Sequence, residues 1–320
     1  MLKRLPSMQL GRKYGSDTFS MWLFCCPCRL PARPGSGIGA PKYIFSANET
    51  MCKNEDRILV FIPAYRCAAQ IARVMDQFTD TVQETVEAVL VVDNRSPDGT
   101  LQRAVACGKD RFRKTRLIAW VNDDNYGLGG SHKVAFRYAA DQGFDYLVVL
   151  HGDDQADIRD LVPLLDSGVH RNVDCLLGAR FMKGSRLFGY SILRTFGNRL
   201  YNRLFSLVVS FRIHDLGSGL NVYRLSSFRD FNYKRFPDDL TFNYVMLLAS
   251  LHGGQKVRFF PISWREEDQV SNVKLFRQAF RVLGLLVAFI FRRDAFLRSE
   301  MRTRPIETYS GSIQFASRPD

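Results

Sequence analysis

The sequence predicts an α/β protein with a mostly parallel central sheet flanked by helices, and three observations lead there. Short apolar runs of strand length alternate with stretches of helical periodicity, the pattern that builds parallel sheets. Each of the first four runs ends in a polar, acidic or glycine-rich loop, so those loops share one sheet edge. No run reaches the roughly 18 apolar residues of a membrane-spanning helix.

Residues 58–62 (ILVFI), closed by Pro63, read as a buried strand. Ile71, Val74, Met75 and Phe78 recur at helical spacing, which predicts a helix from Gln70 to about Thr85. Residues 88–92 (AVLVV) form a second strand ending in Asp93 and Asn94, and Ser96-Pro97-Asp98-Gly99-Thr100 turns into the next helix. Residues 117–121 are a third strand. Gly127-Leu128-Gly129-Gly130-Ser131 opens a helix to about Gln142, and 145–150 is a fourth strand. Further on, 175–177, 220–223 and 256–260 read as strands, and 191–209 and 240–251 as helices. One α/β domain over 53–270 results, with 1–52 as an extension outside it and 305–320 as a flexible tail.

Charge is unevenly placed. The net charge is +13, yet residues 1–50 hold seven Lys/Arg against two acids, and 274–304 hold eight against two. Basic ends around a neutral centre fit an anionic membrane surface and argue against nucleic acid. The Cys count is seven, without paired CxxC motifs, which suits a reducing cytoplasm. Cys25, Cys26 and Cys28 form a cluster in the extension, open to lipidation, redox chemistry or no role at all.

The fourth strand carries the strongest chemical signal. Leu147-Val148-Val149-Leu150 runs straight into His151-Gly152-Asp153-Asp154-Gln155. On an extended chain His151, Asp153 and Gln155 share a face and Asp154 points the other way. Such a set can hold Mg²⁺ or Mn²⁺ against a diphosphate; a solvated strand exit with an Asx turn is the plainer alternative.

Taken in order, these motifs resemble the family 2 glycosyltransferases of GT-A fold, a Rossmann-like architecture, and most of all their dolichyl- or polyprenyl-phosphate branch. The resemblance spans about Arg57 to Phe291. Pro63, Ala64 and Tyr65 are similar to the family's nucleotide-facing strand exit; Arg66 and Cys67 stand where the family usually has Asn-Glu. Asp93, in VVDNRSPDGT, matches the nucleobase or ribose acceptor. His151, Asp153 and Gln155 match the family's Asp-x-Asp-x-Gln metal segment, with His for the first Asp. The implied cofactor is a divalent cation, and imidazole favours Mn²⁺ over Mg²⁺. Arg265, in PISWR, resembles the arginine that grips the donor diphosphate.

The resemblance also implies an acceptor side. Arg180, Arg194 and Asn198 match positions that bind a lipid phosphate, a task suited to the guanidinium fork. Asp215 and Ser218, in HDLGSG, would line the sugar and acceptor cavity. Asp238 and Asp239 precede a helix as caps or supply a general base. Lys133, after the glycine-rich turn, is a phosphate contact or a solvated lysine.

The implied reaction transfers a sugar from a nucleotide-sugar donor, with inversion, to a membrane-linked acceptor. A polyprenyl phosphate is the leading acceptor. A sugar hydroxyl in cell-surface polysaccharide synthesis, and a silent nucleotide-binding scaffold, are the alternatives. Sugar-nucleotide nucleotidyltransferases are disfavoured, because their Gly-rich loop after the first strand is replaced by Pro63-Ala64-Tyr65-Arg66-Cys67. The basic amphipathic stretch 271–304 reads as a flap and membrane-surface helices, or as helix packed on the domain or a second copy. The expected location is peripheral, on the cytoplasmic face of a membrane.

Overall fold

The apolar runs become strands and the periodic stretches helices in nearly the expected order. The structure, a computed structural model, describes residues 56–266, 268 and 275–317, the side chains of 275–277 excepted. The extension 1–52 with its cysteine cluster, and the flap expected around Ser271 and Asn272, lie outside the described residues. The first half runs β1 (Ile58–Ala64), α1 (Ala68–Asp76), α2 (Asp80–Thr85), β2 (Ala88–Asp93), α3 (Thr100–Gly108), β3 (Arg116–Asn122), α4 (Gly127–Asp141), β4 (Tyr146–Leu150) and α5 (Val162–Asp166). The second runs β5 (Cys175–Ala179), β6 (Arg186–Phe188), α6 (Ile192–Val209), β7 (Leu220–Arg224), α7 (Phe242–His252), β8 (Val257–Pro261), β9 (Ser263–Arg265), α8 (Leu275–Arg298) and β10 (Gly311–Ala316).

The eight-stranded sheet has the order β10-β3-β2-β1-β4-β7-β5-β8. β1 to β4 are mutually parallel where they pair, as are β5 and β8, while β7 runs against both its neighbours. β6 and β9 form a separate parallel pair. Alternate side chains of β1 feed two core layers. Leu59 and Phe61 pack towards α4 and α7, and Ile58, Val60 and Ile62 towards α1 and α3. This two-sided burial is why β1, β2 and β4 are continuous apolar runs.

The chain winds from β1 outward to β3, then crosses back to place β4 on the other side of β1. The exits of β1 and β4 therefore flank a topological switch point, where open α/β sheets bind ligands.

Three expectations are corrected. The single helix over 70–85 is two: Gln77 leaves the α1 axis with its amide turned into the core, and Phe78 is fully buried before α2 starts. The domain does not stop near 270, because Val282, Leu286 and Phe289 of α8 and Tyr309 join the main core cluster. Nor is the described part of the expected 305–320 tail, up to residue 317, free. β10 pairs antiparallel with β3, Gly311 opposite Asn122, and covers that sheet edge. Its alternating, half-exposed GSIQFA is too weak a pattern to announce a strand.

Candidate active site

The β1 and β4 exits touch. Gly152 N donates to Pro63 O at 3.2 Å, and a Cβ on Gly152 would stand 3.0 Å from that oxygen, a tight contact that the bare glycine avoids. Ala64 is buried and Tyr65 exposed, with the Arg66 guanidinium over its ring at 5.3 Å. Cys67 turns inward, its N–H donating to Thr100 Oγ1 at 3.0 Å, and burial pushes its thiol up to about 12. It is an inert wall.

At the β2 exit Asp93 is buried. One carboxylate oxygen accepts from Ser96 N at 3.1 Å, and the other, Oδ1, has no protein partner. Burial raises its pKa, opposed by the Ser96 bonds. A buried, unengaged acceptor is costly unless a ligand supplies a donor. Beside it runs an asparagine network unseen in the sequence. Asn94 Oδ1 accepts from Asn122 Nδ2 and Tyr126 N at 3.0 and 2.8 Å, while Asn94 Nδ2 donates to Asn125 at 2.7 Å. It ties the β2 exit to the start of α4.

The glycine-rich turn does something other than expected. Gly129 N and Gly130 N, the free donors of α4, both donate to the Asp238 carbonyl, at 2.7 and 3.3 Å. A Cβ on Gly129 would lie 2.2 Å from Pro237 O. These glycines therefore admit the protein's own backbone, whose carbonyl takes two of the amide donors at the start of α4. Lys133 neither touches solvent nor reaches towards phosphate. It is buried and donates to Phe236 O and Asp238 Oδ1, both at 2.6 Å, and to Tyr309 at 3.2 Å. Burial lowers its pKa and Asp238 opposes that shift. Asp238 also accepts from Tyr309 at 2.7 Å, so its carboxylate latches α4 to the segment before β10. Asp239 caps the start of α7, accepting from Thr241 N and Oγ1 at 2.8 and 2.6 Å, and pairs with Arg281 of α8 at 2.5 Å.

The cation segment leaves β4 as a turn and not as extended chain, with Asp154 at φ +59 and its carboxylate held by Arg73 and Gln77. His151 continues the β4 face towards α4, edge-on to His132 with ring centroids 6.4 Å apart. Its Nε2 is buried without a protein partner, and burial with the nearby Arg180 charge holds the ring neutral, its pKa down to about 4. Asp153 Oδ1 accepts from Gln155 N at 3.3 Å, and burial pushes its carboxyl up to about 6. Gln155 O accepts from Arg265 N at 2.9 Å, and Arg265 Nη2 lies 3.4 Å from Asp157.

These groups fit a cation in part. A desolvated carboxylate at Asp153 gains most from a positive neighbour. Among the described residues no cluster of three His, Cys, Asp or Glu could enclose an ion alone, so a ligand or water must complete the shell. Of the three expected ligands Asp153 fits best. The His151 nitrogen is enclosed on the α4 side.

The acceptor residues separate into two groups. Arg180 is buried in a bidentate pair with Asp215, both bonds 2.8 Å, and donates to Gly217 O at 2.9 Å. The rings of Trp264, Phe181 and Tyr190 surround it at 4.8, 5.1 and 5.9 Å. Three of its five side-chain donors, on Nε and Nη2, are engaged by Asp215 and Gly217. Asp215 and Ser218 border a small cavity of about 10 Å³, room for about one water. Arg194 remains part-exposed. It pairs with Glu266 at 2.5 Å and lies over Tyr190 at 5.0 Å, and Asn198 donates to the Tyr190 hydroxyl at 3.0 Å.

The family described as glycosyl transferase family 2 matches residues 59–231. The undecaprenyl-phosphate mannosyltransferase of Micrococcus luteus is 26% identical over 222 residues, 66% of this chain and 85% of that protein. The polyprenol monophosphomannose synthase of Mycolicibacterium smegmatis is 26% identical over 213 residues, covering 66% and 78%. Among solved structures, glucosyl-3-phosphoglycerate synthase from Mycobacterium tuberculosis with phosphoglyceric acid superposes with a TM-score of 0.55 at 17% identity, over 74% of this chain and 80% of that one. The same enzyme with Mn²⁺, UDP and product gives 0.52 at 16%, over the same shares.

Proposed function

Because the chain belongs to glycosyltransferase family 2 and is a nucleotide-sugar-dependent glycosyltransferase, we propose that it moves a sugar, with inversion, to a polyprenyl phosphate at a membrane surface. One observation carries this reading. Arg194, the part-exposed cation of the acceptor side, sits on α6 beside Ile192, Leu193 and Phe196, which are 88%, 79% and 66% exposed. A phosphate head joined to an apolar tail matches that pairing of guanidinium and exposed hydrocarbon.

Asp93 Oδ1 accepts an N–H or hydroxyl from the nucleoside, next to the Pro63-Ala64-Tyr65 exit. Arg265, on β9, faces the diphosphate and stabilises its charge as it leaves. Asp153 holds the divalent cation, with Gln155 beside it. Once bound, that ion neutralises charge on the diphosphate. His151 supports Mn²⁺ over Mg²⁺ if its ring turns towards the ion. Mn²⁺ with UDP in the glucosyl-3-phosphoglycerate synthase structure supports the same class of cofactor. A phosphate acceptor is already anionic, so Arg194, with Asn198 and Tyr190 behind it, needs only to aim the nucleophile. Asp239 is the remaining candidate base should the acceptor be a hydroxyl.

The membrane surface is built from two helices. On α8, Phe280, Leu283, Val287, Ile290 and Phe291 are exposed at helical spacing, opposite the buried Val282, Leu286 and Phe289. α6 lies beside it, Tyr201 donating to Ala279 O at 3.0 Å. Exposed apolar side chains flanked by Arg199, Arg203, Arg292 and Arg293 support a surface-lying arrangement on the cytoplasmic leaflet. Among the described residues no helix is long and apolar enough to cross a membrane.

The test is transfer of radiolabel from UDP- and GDP-linked sugars, with Mn²⁺, to undecaprenyl phosphate, dolichyl phosphate or free glycans. Label entering the organic phase with either lipid supports the proposal; label on glycans alone rejects it.

A further inference from the structure

Asp154 is one of the few non-glycine residues in the left-handed region, at φ +59, and it is almost fully buried. An aspartate held in that conformation, without solvent, needs its surroundings to over-determine it. They do. Arg73 Nε donates to one carboxylate oxygen at 2.6 Å and Gln77 Nε2 to the other at 2.9 Å. Gln77 then continues down the same segment, donating to Ala156 O at 3.1 Å and accepting from Ile158 N at 3.0 Å. Arg73 of α1 and Gln77 just beyond its end thus brace the backbone from Asp154 to Ile158.

Arg73 also reaches further. Its Nη2 donates to both oxygens of Asp268 at 2.9 and 3.0 Å, shortly after Arg265 in the chain. One guanidinium therefore joins the loop carrying Asp153 to the stretch leaving β9. These two segments carry Asp153 and Arg265, the residues assigned above to the cation and the diphosphate. The backbone bond from Arg265 N to Gln155 O closes the same circuit.

We propose that Arg73 is a positioning residue for the donor site: through Asp154 it fixes the backbone that aims Asp153, and through Asp268 it sets the distance from Asp153 to Arg265. This rests on the reading of Asp153 as the cation ligand. Arg73 itself touches neither ion nor sugar. Its two carboxylate partners use different nitrogens of the guanidinium, Nε and Nη2, a span that the single ammonium of lysine reproduces only in part.

The experiment uses the full chain, with Mn²⁺ binding followed by electron paramagnetic resonance in the presence of UDP or GDP, alongside donor and acceptor kinetics. Arg73→Ala should weaken Mn²⁺ binding with nucleotide by roughly tenfold or more, the scale of a lost charge-assisted hydrogen bond. Donor KM should rise, kcat at saturating Mn²⁺ should stay within a few-fold, and acceptor KM should not move. Arg73→Lys should recover part of the binding. Asp268→Asn, which leaves the Asp154 contacts intact, should raise donor KM with little effect on Mn²⁺ affinity. It also serves if Arg73→Ala does not fold. Wild-type Mn²⁺ affinity and donor KM in Arg73→Ala, or in both Arg73→Lys and Asp268→Asn, would overturn the proposal. Asp153→Asn is the separate control. If it binds Mn²⁺ as the wild type does, the cation reading itself is wrong, whereas its failure beside an unaffected Arg73→Ala defeats only the positioning role.

Discussion

Lys133 Nζ and the Asp238 carboxylate stand 2.6 Å apart beneath Tyr309, and the lysine is all but sealed from solvent. The pair connects three parts of the chain: α4, the turn before α7, and the strap that leads into β10. Each partner looked like a site residue in the sequence, and together they satisfy one another.

Removing one member of a buried pair leaves the other charge uncompensated. Lys133→Met should therefore destabilise the protein by about 3 kcal/mol or more. Asp238→Asn should cost less, since Tyr309 and Lys133 keep a polar partner. Urea unfolding measures both, and transfer per folded molecule should persist in Asp238→Asn. Full stability combined with abolished turnover would restore Asp238 as a base.

Arg180 and Asp215 make the same point on the acceptor side. Arg180→Ala should cost about 3–5 kcal/mol of stability through the stranded Asp215. The double variant Arg180→Met with Asp215→Leu should be more stable than Arg180→Ala. Thermal unfolding beside acceptor KM separates the roles. A variant with unchanged Tm and a strongly raised KM would mark Arg180 as a direct phosphate ligand.

Asp239 distinguishes the acceptors. With a lipid phosphate, Asp239→Asn should keep turnover within a few-fold, because no proton needs removal. The α7 cap it forms through Thr241 tolerates Asn. A loss of roughly 10²-fold or more, the scale of general-base catalysis, would shift the reading to a hydroxyl acceptor.

The strap gives a pH prediction. Hydrogen bonds from Arg302 hold the Glu300 carboxyl down to about 2, below its usual 4.5. A depressed carboxyl contributes stability that is complete above the unfolded pKa and lost as pH falls through the folded one. Melting temperature should thus fall between about 4.5 and 2, and Glu300→Gln should flatten that part of the profile. Identical profiles for the two proteins would show that the pair adds nothing.

For the membrane surface, substitutions are better than truncation, since ending the chain before α8 would strip Val282, Leu286 and Phe289 from the core. Phe196→Ser, Phe280→Ser and Phe291→Ser change exposed side chains and should leave Tm nearly unchanged. Combined, they should abolish flotation with anionic liposomes. Continued flotation would place the contact elsewhere.

Much of the fold was legible because β1, β2 and β4 are buried on both faces, and continuous apolar runs such as ILVFI say so directly. Asp93 and Asp153 were legible because each ends such a strand. What stayed hidden is pairing across long separations. Arg180 and Asp215 were both named, yet nothing local reveals that each is the other's partner. Lys133 with Tyr309, and Arg73 with Asp154 and Asp268, are equally invisible in a linear reading. Gly127 and Gly129 announced a close approach without saying that the backbone of Pro237 and Asp238 would make it. β10 was missed because an edge strand, half exposed and short, carries almost no periodic signal.

The pairing of β10 with β3 has a further consequence during synthesis. β3 leaves the ribosome early, and its open flank meets its partner only after nearly the whole domain has been translated. Until then a nascent chain carries an uncovered β edge beside the nucleotide-side loops, the kind of surface that invites mispairing and chaperone capture. Tyr309 also follows most of the domain in the chain, so it joins Lys133 and Asp238 only after that part has been made. A ribosome stalled just short of residue 311 would hold a domain with most of its core formed and its edge still unguarded.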